Sequence, residues 1–475
     1  MAISLDDRSY FGLFFPLEYG QIAPLGWMWL EKCMLDVFGP HEWALRLPAF
    51  VAGIASALLM FRLCFRLAPG AGGLLGFAIF AASYYPMRHG AELKPYAFDL
   101  LWALLLIFSA LAFLAGTPRA RAWIGLALAA WLGVWFSYPS LFVSAAVLTL
   151  LGWRALRARN FRSFTLLAWI GAVWAGSAAW MLIAYSAPHA AAASWLTEMA
   201  MWTPSFPPAS QPWKLPGWLL EMHAGYMSAY PTGGRNFGSS ATLLLILIGI
   251  WTWRPSQRGA LLWLLLGALT FNLLAALWQK YPYGGSVRTS IFCAPAFCLL
   301  AGCGLAALMA RWGLERRSIP VACLALAAMP IGGIAEDLAH PYKLDADLAC
   351  ERFVADFAEK ILPGDRVIGF TNSRPDGSPD WFNLGGSGAR LRWMLAHRLP
   401  VKVEWNAPPP ATGRAWLLAY TDDNDTRMPF PAVEYDRLIT AWDQRRSALQ
   451  LAGNYPFRKA ERVELLLSPA AADSR

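Results

Sequence analysis

The sequence predicts an all-α polytopic membrane bundle followed by a C-terminal extracytoplasmic α/β domain. Three observations carry this prediction. Long apolar stretches recur through residues 47–335, arginines gather in alternate loops, and residues 336–475 change to a mixed helix and strand pattern. A bilayer offers no water to unpaired backbone groups, so spanning segments must be helices or closed barrels. Stretches of this length and continuous apolarity are helical.

Spans are expected at 47–64, 71–85, 97–115, 123–137, 140–153, 163–186, 241–253, 260–278, 291–310 and 319–335, about ten in all. One set of alternate loops holds Arg62 and Arg66; Arg119 and Arg121; Arg154, Arg157, Arg159 and Arg162; Arg254 and Arg258; Arg311, Arg316 and Arg317. The opposite loops are longer, yet carry only Arg88, Lys94, Lys214, Arg235, Lys280 and Arg288. The positive-inside rule assigns the first set to the cytoplasm. By parity, residues 1–46, the loop 187–240 and the tail 336–475 lie outside.

These outer segments carry structure of their own. Within residues 1–46, Leu25, Trp29, Leu30, Met34, Leu35 and Phe38 form an apolar stripe, with Glu31, Lys32 and Asp36 between them. That pattern predicts an amphipathic helix on the membrane surface. In the tail, Ala349–Ile361 and Ala389–His397 read as helices, while Asp365–Phe370, Val401–Trp405 and Arg414–Tyr420 read as strands. The tail has no glycine-rich phosphate loop and no serine or cysteine nucleophile motif, so a supporting role is expected.

Composition narrows the function. Hydrophobic residues make up 57% of the chain and charged residues 15%, which excludes a soluble protein of this size. The net charge of +9 does not point to nucleic acid, because the excess sits beside membrane spans. The 25 Trp and 15 Tyr suit an interfacial belt contacting membrane lipids. Of the seven cysteines, Cys293, Cys298 and Cys303 share one helix at a spacing that suits packing rather than metal binding; Cys33 and Cys350 fall on one side and can pair.

Three clusters bear chemistry. The first is PMRHGAELKPYAFD, residues 86–99, with Arg88, His89, Glu92, Lys94 and Asp99 between two spans. Pro95 is expected in the first turn of the next helix, with Lys94 at its mouth and Asp99 one turn inside. A cation at a helix N-terminus makes a phosphate seat, and an aspartate at membrane depth is costly unless used or paired. The alternative is that Lys94 and Arg88 meet lipid headgroups while Asp99 caps its helix. The second cluster is Lys280, Tyr281, Tyr283 and Arg288, suited equally to anion binding and to anchoring. The third is the loop 187–240 with Glu198, His223, Tyr226, Tyr230 and Arg235, whose aromatics suit a sugar or a lipid interface. His223 is a possible metal ligand, although a lone loop histidine usually is not.

The stretch PLEYGQIAPLGWMWLEKCMLDVFGPHEWALRLPAFVAG, with residues 38–48 as its most specific part, resembles the first outer loop and second span of GT-C polyprenyl-phosphate-sugar glycosyltransferases. Its nearest likeness is to dolichyl-phosphate-mannose protein mannosyltransferases and aminoarabinose transferases. AELKPYAFDLL and YPYGGSVR also look like loops of that family, so the resemblance runs over about residues 10–335. It implies a GT-C bundle in a bacterial inner membrane, with its active face in the periplasm.

In that family an Asp-Glu pair follows the first membrane helix, and this sequence does not show it. A chain starting outside needs delivery across the membrane, so the expectation is that the natural chain begins before Met1. Asp99 corresponds to the family's second outer-loop acid. Gln21 stands where aminoarabinose transferases have a metal-binding glutamate, and Ile22 replaces the lysine after it. A divalent metal ion is therefore left open as a cofactor. Arg288 resembles an arginine preceding the last part of the bundle.

The reaction implied is transfer of a sugar from a polyprenyl-phosphate donor to a lipid, glycan or protein acceptor. Asp99 and Glu92 would supply acid–base chemistry, and Lys94, Arg88, Gln21, Tyr283, Arg288 and His223 would hold substrate. Two alternatives stand beside it: a transporter or flippase of lipid-linked sugars, and a non-catalytic lipid-binding relative. Against transport, no internal repeat is visible.

Overall fold

The computed structural model describes residues 5–6, 8–17, 22–116, 118–192, 202–233, 238–253, 258–340, 345–370, 385–405, 414–422, 450–456 and 461–468. They fall into two compact units, one reaching Ala335 and the other starting at Glu336.

The first unit is helical: α1 Leu25–Phe38, α2 Glu42–Leu67, α3 Ala71–Ala81, α4 Tyr84–Gly90, α5 Tyr96–Leu114, α6 Ala120–Phe136 and α7 Ser140–Arg157. There follow α8 Phe161–Ala191, α9 Leu215–Ala224, α10 Gly238–Thr252, α11 Arg258–Leu277, α12 Val287–Arg311 and α13 Glu315–Ala339. All ten expected spans are helices. Among the described residues, seven helices are long and apolar enough to cross a bilayer alone, while α3, α6 and α10 are shorter.

Local chemistry sets the ends. Gly39, at φ 77°, closes α1, and its N–H donates to the Leu35 carbonyl at 2.8 Å. Asn160 caps α8, accepting from the Ser163 N–H at 3.1 Å. Within α8, Met181–Ser186 widens to a π-helix just before Pro188, which has no N–H to continue the ladder.

Small residues set the packing. α12 lies against α3 and α10, and a methyl group added at Gly302 would collide with the Gly76 backbone. Cys64, Cys298 and Cys303 fill this seam as buried free thiols, in keeping with the packing role expected of the α12 cysteines. Of the two cysteines that the sequence allows to pair, Cys33 lies in the first unit and Cys350 is buried in the second.

Two expectations need correction. Glu31, placed on a polar face by the sequence pattern, is fully buried beside Trp27 and Met28, because α1 packs against α2 and α6. Only Lys32 and Asp36 keep the polar side, paired at 2.8 Å. The segment from residue 86 is also not all loop: α4 occupies Tyr84–Gly90.

The second unit pairs α14 Asp345–Lys360 and α15 Gly385–Arg398 with a five-stranded sheet ordered β2-β1-β3-β5-β4. Strand β1 (Arg366–Phe370) runs parallel to β2 (Val403–Trp405) and β3 (Ala415–Asp422). Strands β4 (Gln450–Pro456) and β5 (Glu461–Ser468), which the sequence reading did not find, complete the sheet antiparallel. Phe353, Phe357, Met394 and Trp416 fill its core, with the Trp416 indole donating to Asp365 at 2.7 Å.

Candidate active site

Two loops of the first unit bring most of the expected residues together: residues 91–95, between α4 and α5, and residues 278–286, between α11 and α12. In the first, α4 places Arg88 and His89 on the side facing Glu92. Arg88 Nε donates to Glu92 Oε1 at 2.5 Å, and His89 Nδ1 lies 3.2 Å from Glu92 Oε2. Arg88 also reaches the Tyr84 hydroxyl at 3.4 Å. Burial would raise the Glu92 pKa, but hydrogen bonds from His89 and Arg88, with their charge, hold it far below the usual carboxylate range. Both its oxygens are engaged, so Glu92 is built to hold its neighbours rather than to accept a substrate proton.

Pro95 occupies the N-cap of α5, one position earlier than expected, and Asp99 sits in the first turn with its N–H donating to Pro95 O at 3.2 Å. Lys94 therefore stands at the mouth of α5, half-buried. Burial lowers its pKa, the nearby Arg288 guanidinium lowers it further, and Glu92 partly opposes both. Lys94 and Arg288 thus share one partly buried neighbourhood at the start of α5.

Asp99 is 4% exposed and hydrogen-bonded to Ser137. Pro95, not Asp99, holds the N-cap position of α5. The Ser137 hydroxyl also accepts from the Ser140 N–H at 3.2 Å, at the start of α7, and this fixes the serine. Asp99 is thus a buried carboxyl group on α5 paired with Ser137 in the turn between α6 and α7.

The second loop and the start of α12 meet this group at Tyr281 and Arg288. Tyr281 feels the charges of Asp99, Tyr96 and Arg288; burial first, then Asp99, push its phenol pKa well above the ordinary value. Its hydroxyl donates to Thr289 O at 3.3 Å. Arg288 is hydrogen-bonded to Tyr96, and its guanidinium lies 4.7 Å from the Trp202 ring centroid. Two residues further out than Tyr281, the Tyr283 hydroxyl lies 3.3 Å from His223 Nε2.

His223 is set by its backbone. Its Nδ1 donates to Leu219 O at 2.8 Å, which leaves Nε2 to accept from Tyr283. Burial lowers the His223 pKa, partly offset by the Leu219 carbonyl. Trp218 packs 5.6 Å from the Tyr283 ring and His223 5.7 Å from it, so the three rings form one aromatic cluster.

Arg88, Glu92, Lys94, Asp99 and Arg288 thus belong to one connected region, joined through the loop to Tyr283 and His223. Gln21, Glu198 and Arg235 lie outside the described residues. Tyr96, Ser137 and Trp202 are not among the residues expected at the site, and His89 and Tyr281 are expected there without a role. The His89–Glu92 spacing of three was a visible signal; Ser137 and Trp202 gave none, because their partners are distant in sequence.

Among the described residues, no group of three or more His, Cys, Asp or Glu side chains gathers to hold a metal ion. Glu92 is occupied by cations and Asp99 by a serine, so these donors do not fit a divalent centre.

The family model for dolichyl-phosphate-mannose-protein mannosyltransferase matches residues 23–184. No curated protein matches the chain. Among solved structures, ArnT from Cupriavidus metallidurans in the apo state matches at 13% identity and a TM-score of 0.50, covering 99% of this chain and 93% of that one. The same protein bound to undecaprenyl phosphate matches at 12% identity and 0.49, covering 99% and 92%. The mannosyltransferase pattern thus covers about the first third of the chain, and the fold of apo ArnT is similar to this one over nearly its whole length; with its long apolar helices, the chain is a multi-pass membrane protein of that fold.

Proposed function

We propose that the chain moves a sugar from a polyprenyl-phosphate donor to an acceptor hydroxyl at the outer, periplasmic face of a bacterial inner membrane. The observation that carries this reading is Lys94 at the mouth of α5 and the buried Asp99 in its first turn, with Arg288 bonded to Tyr96 of that turn and resting over the Trp202 ring. The mannosyltransferase family whose pattern the chain matches is named for a dolichyl-phosphate-sugar, which supports a lipid-phosphate donor.

The chemistry follows from these groups. Asp99 takes the proton of the acceptor hydroxyl, whose oxygen bonds to the anomeric carbon. The bond from that carbon to the phosphate oxygen breaks, and its electron pair leaves on the polyprenyl phosphate. Lys94 and Arg288 stabilise the charge that develops there. Arg88, His89 and Glu92 brace the loop that presents Lys94, while Tyr283, Trp218 and His223 offer a face to the sugar. No step is routed through a metal ion, since the described donors do not form a site for one.

The test is transfer of radiolabelled sugar from polyprenyl-phosphate donors in membranes carrying wild type or Lys94→Ala. Labelled acceptor from wild type, reduced about 100-fold or more in the variant, is expected for a lost transition-state cation. Equal transfer in both defeats the phosphate seat. Movement of labelled donor across vesicles without product would instead favour the flippase reading.

A further inference from the structure

A cavity of about 690 Å³ opens between the end of α7 and the start of α11, at the arginine-rich side of the bundle. Leu150, Trp153, Ala260 and Trp263 give it apolar walls, and Arg154 and Arg157 bring two cations to it from one face of α7. The Trp263 indole is fixed by donation to Ala146 O at 3.0 Å, while Trp153 is 62% exposed toward the surroundings. An interfacial belt alone explains arginines and tryptophans at a helix end. It does not explain a hollow between two packed helices with the volume of a small-molecule site, about 300–1,000 Å³.

We infer that this cavity binds the phosphate of an anionic phospholipid from the cytoplasmic leaflet. The two arginines match a phosphate by charge and by hydrogen-bonding geometry. The apolar walls receive the upper part of the lipid, and basic recesses between helices on this side suit such headgroups. The occupant is lipid-borne rather than free phosphate, because the cavity lies between the ends of two membrane helices and most of its lining is apolar. The site lies at the opposite ends of α7 and α11 from the proposed catalytic groups and does not depend on that chemistry.

Gly259 offers a clean perturbation. A Cβ there meets nothing within 4 Å, so Gly259→Leu adds bulk to the cavity and leaves both arginines in place. Native mass spectrometry of the full chain in detergent, titrated with phosphatidylglycerol, reads the binding. Wild type is expected to retain phosphatidylglycerol over phosphatidylcholine. Arg154→Ala/Arg157→Ala is expected to weaken that retention about thirtyfold, as for two headgroup-facing cations. Gly259→Leu is expected to weaken it comparably, and decides the matter should the double variant fail to fold. Equal retention in wild type and Gly259→Leu overturns the inference, as does equal retention of phosphatidylcholine. Displacement by millimolar inorganic phosphate overturns the lipid assignment.

Discussion

The two ends of the helical bundle both carry cations but treat them in opposite ways. At the arginine-rich end, Arg62, Arg119, Arg121, Arg157 and Arg162 are exposed. At the other end, Lys94 and Arg288 are partly buried, Arg288 against Tyr96 and Trp202, and Arg88 is clamped to Glu92. Charge left in water or headgroups orients a chain and contributes little else. Charge held close to other charge, with water thinned out, is expensive and persists where it does work. The difference explains why a count of arginines yields topology while the chemistry is sought at the end with fewer.

The sharpest way to break this contrast is to remove the buried carboxylate. Asp99→Asn is expected to lower sugar transfer by about 100-fold to 10,000-fold with donor binding little changed, the size of a lost general base. Single-turnover transfer set against donor binding separates the two. If transfer persists, Asp99 is structural.

Lys94 comes next, through pH. Its depressed pKa means the charge leaves at a lower pH than for an ordinary lysine near 10.4. Donor binding should therefore hold at neutral pH and weaken as pH rises through the lowered value. Lys94→Arg should move that alkaline limb upward, since arginine keeps its proton. A limb at the same pH in both proteins assigns it to another group.

A smaller effect is expected at the brace. Glu92→Gln frees Arg88 and His89 and should lower transfer by about tenfold through mispositioning. Because Glu92 has a depressed pKa, its stabilising contribution is present above the ordinary carboxylate range and is lost as pH falls toward its folded value. At neutral pH the pairing of these partly exposed groups contributes about 1 kcal/mol, read as a shift in thermal unfolding between wild type and variant. No shift between the two would leave the brace without energetic meaning.

The helices were legible because lipid demands continuous apolarity, and that is written locally. Their packing was not. α12 and α13 have similar mean hydropathies, 2.2 and 1.9, yet 78% of the apolar stretch of α12 is buried and none of that of α13. Both helices carry small residues, but Gly302 and Gly304 of α12 touch neighbouring backbones while Gly332 and Gly333 of α13 meet nothing within 4 Å, so the contact depends on the partner helix. The same limit applied to the site. Lys94, Asp99 and Arg288 stood out as ionisable groups beside spans. Ser137 and Trp202 look ordinary until the fold brings their distant partners to them. Glu31 misled for a related reason: its spacing fits a polar face, but packing buries that face.

The most direct measurement sets the two ends against each other in one assay. Transfer of labelled sugar from a polyprenyl-phosphate donor is compared among wild type, Lys94→Ala and Arg154→Ala/Arg157→Ala. Transfer should fall about 100-fold or more in the first variant and stay at the wild-type level in the second. Equal transfer by wild type and Lys94→Ala would contradict the account.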